Sequence, residues 1–115
     1  MTKHRDIVPL GDMLDTCRRL MTTTANISRT QFDADQNLQF ALTYLLQRIG
    51  RAAERVSDEG RIKHPEIDWP NVVSMRNRVV HDYVNIVFDV VWATATVDVP
   101  RLFSALETFM PSDPP

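Results

Sequence analysis

The chain has 115 residues, of which 43% are hydrophobic and 24% are charged, and its formal net charge is −2. These values are typical of a folded protein with a single core, and they argue against wholesale disorder and against two separate domains. The slightly acidic balance argues against a protein that coats nucleic acid non-specifically, because such binding depends on neutralising phosphates with Lys and Arg.

Neither a membrane segment nor a disulfide is expected. No apolar run approaches the roughly 20 residues that a membrane span requires, and the first residues lead into an amphipathic helix rather than a signal-peptide core. We therefore expect a cytoplasmic protein that does not contact a membrane. Cys17 is the single cysteine, which excludes an internal disulfide and a cysteine-rich zinc site. Its position on an apolar stripe predicts inert packing.

The first helix is predicted over about residues 5–22, where apolar residues recur three and four positions apart. Pro9 is tolerated there because it falls in the first turn. The threonines 22–24 are predicted to end the helix and to begin a loop that runs through Ser28. The apolar stripe consists of Ile7, Leu10, Leu14, Cys17 and Met21.

A second, longer helix of about 20 residues has the clearest periodicity in the chain. Thr30 and Asp33 are candidate caps, and the carboxylates of Asp33 and Asp35 suit the positive end of this helix. Gly60 is predicted to close this helix or its frayed end. Its apolar stripe consists of Leu38, Leu42, Leu45, Ile49, Ala52 and Val56.

Three arginines form a basic edge beside that stripe. Arg48, Arg51 and Arg55 fall within about 60° of one another on an ideal helix. The edge is either an ordinary solvated surface or one wall of a cleft that attracts a polyanion. In the second case these arginines would bind RNA beside the motif described below.

A third helix is predicted after a proline-rich turn. Pro65 and Pro70 bracket Trp69, and Asp68 can cap the helix with Pro70 in its first turn. His64 directly precedes a proline and is interpreted as structural. The buried side of this helix is predicted to consist of Val72, Val73, Met75, Val79 and Val80.

The segment 86–99 is rich in residues with strand-like propensity, but its period is helical. A lone strand would have no partner in a helical chain, so consistency favours a helix. Pro100, which follows Asp98, is predicted to open a last helix. The helical stripe of the first segment consists of Val87, Val90, Val91, Thr94 and Val97, and the apolar face of the last helix consists of Leu102, Phe103, Leu106, Phe109 and Met110.

These elements predict an all-α fold, an up-and-down bundle of about four to five helices. Residues 1–110 would form a single domain, and the proline-rich residues 111–115 a disordered tail. Bundles of this kind carry unrelated functions, so the fold by itself does not identify the activity.

Side chains suited to chemistry cluster between Met75 and Tyr83. Asn77 lies four residues before His81 and shares its helix face, while Arg78 lies three residues before His81 on its other flank. Arg76 lies about 140° from His81 on an ideal helix. It can approach the imidazole only through its long side chain, a loosened helix or a second protomer.

This pattern of Arg76, four residues, His81, one residue and Tyr83, with Asn77 directly after the arginine, resembles the signature of HEPN-domain ribonucleases. More narrowly it resembles the HepT toxins, which are encoded beside a minimal nucleotidyltransferase antitoxin. Relatives usually carry Glu after the glycine of the second helix, where this chain has Arg51. The resemblance extends to the stretches 7–10, 32–35, 49–53, 64–69 and 98–102.

The leading hypothesis is a metal-independent endoribonuclease without a cofactor. RNA carries its own nucleophile in the 2′-hydroxyl, so the protein must move protons and stabilise charge on the phosphate. His81 suits the first task because its unperturbed pKa is near 6.5, and Arg76 suits the second because a guanidinium offers a fixed fork of donors. Asn77 can orient the imidazole or the phosphate, and Arg78 can hold a flanking phosphate.

The resemblance implies two further features. One is a symmetric homodimer that brings two copies of the motif into one cleft, which would compensate for the single histidine of each motif. The other is silencing by the nucleotidyltransferase antitoxin, which attaches adenylyl groups to the tyrosine at the position of Tyr83.

A rival hypothesis from another class is a non-catalytic helical bundle that docks a nucleotidyltransferase, with the motif as a recognition or modification site. Arg51 in place of the usual Glu favours this rival. A metalloenzyme is disfavoured because the carboxylates and three histidines lack ligand spacing. A helical protein with no such site is the remaining alternative.

Overall fold

The computed structural model describes residues 4–78 and 86–110, and within these ranges the chain is a bundle of α-helices with one π-helical turn. The all-α prediction is confirmed. In chain order the elements are α1 (His4–Ala25), α2 (Arg29–Ala34), α3 (Gln36–Glu54), α4 (Asp58–Lys63), α5 (Trp69–Val73), α6 (Met75–Arg78), α7 (Phe88–Ala93), the π turn (Thr94–Asp98) and α8 (Val99–Glu107).

The core lies between α1, α3 and the carboxy-terminal helices. Helix α1 packs against α3 and α8, while α3 also packs against α5, α6 and α7. None of the helices in the described ranges is long and apolar enough to cross a membrane. The largest fully buried side chains are Phe32, Leu10, Met13, Leu20, Leu42, Leu46, Ile49, Met75, Leu106, Val91 and Val99.

Helix α1 is longer than predicted because the threonines continue it. Thr23 Oγ1 donates to the carbonyl of Arg19 at 2.8 Å, and Thr24 Oγ1 donates to the carbonyl of Leu20 at 3.0 Å. The helix therefore ends at Ala25 rather than at residue 22. Of the predicted stripe, Ile7 is exposed near the start of the helix.

The predicted caps of the second helix were wrong, because the segment divides into two helices. Ser28 caps α2 in a capping box with Gln31, so Thr30 and Asp33 lie inside α2. Asp35 then caps α3, where its carboxylate accepts the backbone N–H of the third helical residue at 3.1 Å. Each orphan N–H group satisfied in this way stabilises a helix start.

Gly60 does not close the long helix, which ends at Glu54. It lies inside α4, packed against the buried carboxylate of Asp6, and a Cβ at position 60 would lie 3.2 Å from Asp6 Cγ. Asp6 accepts hydrogen bonds from the Ser57 backbone N–H at 2.9 Å and from Ser57 Oγ at 2.6 Å. Gly60 thus allows α4 to pack closely against the start of α1.

The turn before α5 agrees with the prediction. Asp68 is the N-cap of α5, accepting the N–H of Asn71 at 3.3 Å, and Pro70 lies in the first turn. The ring of His64 stacks on Phe109 with 3.5 Å between ring centroids, which agrees with a structural histidine.

The carboxy-terminal segment is helical, but Pro100 does not begin a separate helix. Helix α7, the π turn and α8 form one continuous run from Phe88 to Glu107. A proline lacks an N–H and crowds the carbonyl four residues before it, so a regular helix cannot pass through it unchanged. The chain adapts by widening one turn, in which the Val99 N–H donates to the Thr94 carbonyl.

Candidate active site

The motif helix is broken before its arginines. Helix α5 ends at Val73, Ser74 forms a turn, and α6 covers only Met75–Arg78. The N–H of Arg78 donates to the Ser74 carbonyl at 2.7 Å, which holds this short helix. His81 and Tyr83, with the predicted core valines 79 and 80, lie outside the described residues, and so does the predicted tail at 111–115.

Two residues of α3 fix the backbone of Arg76. A Cβ at Gly50 would lie 2.9 Å from both the Cα and the Cβ of Arg76, a separation that side chains essentially never adopt. The absence of a side chain at Gly50 therefore lets α6 rest on the surface of α3. One turn earlier on α3, Gln47 Nε2 donates to the carbonyl of Arg76 at 3.4 Å.

The side chain of Arg76 turns back toward the end of α3. Its Nη1 donates to both carboxylate oxygens of Glu54, at 2.7 and 2.8 Å. The hydrogen bond to Glu54, and then the nearby negative charge, raise the pKa of Arg76. The side chains of Arg76 and Glu54 remain 47% and 36% exposed, so the guanidinium is oriented and still open to a ligand.

Arg78 points to the other side of α6. Its Nη1 donates to Asn71 Oδ1 at 2.7 Å, and its Nη2 donates to Asp98 Oδ2 at 3.1 Å. Its side chain is only 27% exposed. An open pocket of about 270 Å³ lies on this side of the bundle, and both Asn71 and Asp98 line it. Asn77, between the two arginines, is exposed.

The three arginines of the basic edge have different surroundings. Arg48 Nη2 donates to Asp12 Oδ1 of α1 at 2.8 Å, and Arg55 Nη2 donates to Asp12 Oδ2 at 3.4 Å. The hydrogen bond to Asp12 raises the pKa of Arg48. Arg51 is exposed, and none of the residues in the described ranges forms an ion pair with it. A single carboxylate therefore offsets much of the charge of the edge.

Glu54 was not among the predicted site residues. It lies between Arg51 and Arg55 of the basic edge, at the end of α3, where a carboxylate is usually a solvated surface group. Its partner Arg76 is 22 positions away in the sequence, so helical periodicity gives no signal for the contact.

Cys17 is buried in the core as expected. Burial raises the pKa of its thiol to about 12, because a thiolate there would lose its hydration. This thiol is therefore protonated and inert near neutral pH, and it takes no part in the site.

The sequence is also similar to those of known proteins. The sequence model of a family described as "HepT-like: Ribonuclease HepT-like" matches residues 13–109, a range that includes all the predicted site residues. A protein of Thermococcus cleftensis named "Probable ribonuclease HepT" is 30% identical over 104 residues, which cover 90% of this chain and 93% of the relative.

Two further relatives have similar names. A protein of Methanocaldococcus jannaschii named "Putative RNase" is 26% identical over 98 residues, covering 85% of this chain and 90% of the relative. A protein of Caldanaerobacter subterraneus with the same kind of name is 29% identical over 93 residues, covering 81% and 83%. No solved structure matches the chain significantly.

Proposed function

This chain belongs to the HepT-like ribonuclease family, with an HEPN-like helical bundle, and from that premise we propose that it is a metal-independent endoribonuclease. The observation that carries the proposal is the position and exposure of the Arg76 side chain. Its backbone rests on Gly50, and its guanidinium is oriented while remaining 47% exposed. A fixed, accessible guanidinium at the surface of a bundle is suited to binding a phosphate oxygen.

The reaction uses the 2′-hydroxyl of RNA as the nucleophile. In the proposed mechanism His81 takes the proton of that hydroxyl or supplies one to the leaving 5′-oxygen, because an imidazole exchanges protons near neutral pH. Arg76 binds the scissile phosphate and stabilises the charge that develops on it. Asn77 is exposed beside Arg76 and is proposed to orient the imidazole or the phosphate.

We propose that the active form is a symmetric homodimer with two motifs in one cleft. One protomer supplies a single His81 motif, whereas cleavage calls for both an acid and a base. Exposed apolar surface supports association: Phe40 and Tyr44 of α3 are 53% and 54% exposed, and they lie one turn apart on one helix.

The proposed biological setting is a toxin–antitoxin pair. A minimal nucleotidyltransferase would silence the ribonuclease by adenylylating Tyr83 in the cytoplasm. The added nucleotide brings negative charge and bulk close to the arginines that must attract RNA, so it would compete with the substrate for them. A nucleotidyltransferase reading frame beside this gene would support the proposal.

A non-catalytic partner of a nucleotidyltransferase is the second candidate function. The observation that favours it is Arg51, an exposed cation at the position where the resemblance leads one to expect a Glu. In that case the motif would serve only as the recognised and modified segment.

A cleavage assay separates the two candidates. Purified protein is incubated with labelled single-stranded RNA in the presence of a metal chelator, and wild type is compared with His81→Ala and Arg76→Ala. We expect cleavage by wild type, and a loss of about 100-fold or more in each variant. RNA left intact by wild type, together with adenylylation by the partner enzyme, would favour the non-catalytic candidate.

A further inference from the structure

Glu54 contacts Arg76 in an asymmetric way. Both carboxylate oxygens of Glu54 lie within 2.8 Å of the single nitrogen Nη1. Among the described residues, no acceptor contacts the Nε or Nη2 of Arg76. The edge of a guanidinium formed by Nε and Nη2 can donate two parallel hydrogen bonds to an oxyanion. The contact with Glu54 therefore fixes the guanidinium and leaves that edge available.

Helix stability does not explain a carboxylate at this position. Glu54 is the last residue of α3, where the negative end of the helix dipole disfavours an anion. Arg61 already provides a favourable positive charge at this helix end, where its Nη2 donates to the carbonyls of Ala53 at 3.1 Å and Glu54 at 3.4 Å. A residue that departs from local preference often marks a functional site.

Other residues contact the backbone of both partners. Arg61 donates a hydrogen bond at the end of α3 that carries Glu54, and the backbone of Arg76 packs on Gly50 and accepts a hydrogen bond from Gln47. A long arginine side chain on a fixed backbone still has several rotamers, and a fixed anion selects one of them. The carboxylate thus supplies the last constraint that the guanidinium needs.

We propose that Glu54 is a positioning residue for Arg76, holding the guanidinium through Nη1 so that its Nε and Nη2 face the phosphate of the RNA. The proposal rests on the ribonuclease function proposed above. Glu54 itself does not touch the substrate. It acts through Arg76, and its removal lowers the rate of cleavage more than the affinity for RNA.

The test begins with three single variants of the full chain. Glu54→Gln keeps the size of the side chain and removes its charge, and Glu54→Asp keeps the charge on a shorter side chain. Glu107→Gln, at an exposed carboxylate on α8, is the control for the change in net charge. The substrate is a pool of 5′-labelled single-stranded RNAs of random sequence, and kcat, KM and thermal stability are measured for each protein.

We expect Glu54→Gln to lower kcat by about 10- to 100-fold, because a small misplacement of a catalytic group slows the reaction by up to about that factor. KM should change by less than about threefold, because Glu54 does not touch the RNA. Glu54→Asp should recover part of the loss, and Glu107→Gln should match wild type. In an Arg76→Lys background, Glu54→Gln should cause little further loss, because the two residues act as a unit. All variants should keep the melting temperature of wild type.

A second measurement does not depend on cleavage. The Nε–H resonance of Arg76, assigned by its loss in Arg76→Lys, is followed by NMR during titration with 2′-O-methyl RNA. We expect an ordered signal that shifts on RNA binding in wild type and an averaged signal in Glu54→Gln. If wild type cleaves no RNA, the ribonuclease function fails, and the order of this signal still decides the role of Glu54.

Three outcomes would overturn the proposal. A Glu54→Gln variant with the kcat of wild type, alongside an inactive Arg76→Ala, would show that Arg76 needs no positioning by Glu54. If Glu54→Gln raised kcat/KM, Glu54 would instead be a competitor of the phosphate for Arg76. An Arg76 Nε–H signal equally ordered in Glu54→Gln and wild type would overturn it even if no cleavage were seen.

Discussion

Gly50 and Arg76 are in direct backbone contact, so the position of the candidate catalytic arginine depends on the absence of a side chain on the neighbouring helix. A Cβ on Gly50 would lie 2.9 Å from Arg76 Cα, and the obstructing atoms belong to backbone that cannot simply rotate away. The site is therefore as sensitive to residue 50 as to the residues that carry its charges.

Gly50→Ala is expected to push α6 away from α3 and to impair RNA cleavage. Overpacking costs about 1–3 kcal/mol against the roughly 1 kcal/mol that Ala gains over Gly in a helix, so the net loss of stability is up to about 2 kcal/mol. We expect a lower melting temperature and a loss of activity. Both are measured, by circular dichroism and by the RNA cleavage assay.

Gly11→Ala is the matched control for this substitution. Gly11 also lies inside a helix, but a Cβ there would meet nothing within 4 Å. Its replacement should leave activity unchanged and raise stability by up to about 1 kcal/mol. Full activity in Gly50→Ala would show that the helix contact does not position Arg76.

The two motif arginines should respond differently to truncation. Arg78 holds Asn71 and Asp98 together, so Arg78→Ala leaves a half-buried carboxylate without its partner and should cost on the order of 1–2 kcal/mol. Arg76→Ala removes a half-exposed ion pair that solvent screens, so it should leave the free energy of unfolding nearly unchanged. Urea denaturation measures both, and equal destabilisation would contradict the separate roles.

Local patterns were sufficient to predict most of the helices. The buried stripe of α3 recurs every three or four residues, and Asp68 followed by Pro70 correctly predicted the start of α5. Such signals lie within a few residues of the feature they specify. The division at Asp35 and the π turn before Pro100 were missed. At each point the local sequence is compatible with more than one backbone conformation, and the packing of the bundle decides between them.

The contacts of the candidate site could not be predicted from the sequence. The sequence made Arg76 a candidate, but its partner Glu54 lies 22 positions away, and Asp12 lies 36 positions from Arg48. Pairings of this kind follow from how helices pack, not from the period of any one helix. The roles of His81 and Tyr83 stay predictions.

Tyr83→Phe is expected to keep RNA cleavage and to escape silencing by a partner nucleotidyltransferase with ATP. Phenylalanine keeps the ring and removes the hydroxyl that would accept the adenylyl group. The measurements are cleavage after incubation with the enzyme and ATP, and mass spectrometry of the co-expressed protein. A modification mapped to Tyr44, which is the other tyrosine of the chain, would contradict the prediction, as would silencing without modification.

The last prediction concerns how much each arginine of the basic edge contributes to RNA affinity. Arg48 shares the carboxylate of Asp12 with Arg55, whereas none of the residues in the described ranges forms an ion pair with Arg51. A phosphate can bind Arg51 without breaking an existing pair, while at Arg48 it must compete with a carboxylate at 2.8 Å. Arg51 should therefore contribute more to RNA affinity than Arg48, although the two lie on the same edge of α3.

Binding of 2′-O-methyl RNA as a function of salt concentration tests this difference. Arg51→Ala should weaken binding and reduce the slope of log K against log salt by about 0.7, the value for one phosphate contact on a single strand. Arg48→Ala should change the slope less. Asp12→Asn releases both Arg48 and Arg55 from their shared carboxylate, so it should tighten binding and steepen the slope. Equal slopes for all four proteins would mean that RNA does not follow this edge, because counterion release must change whenever a phosphate gains or loses a cation.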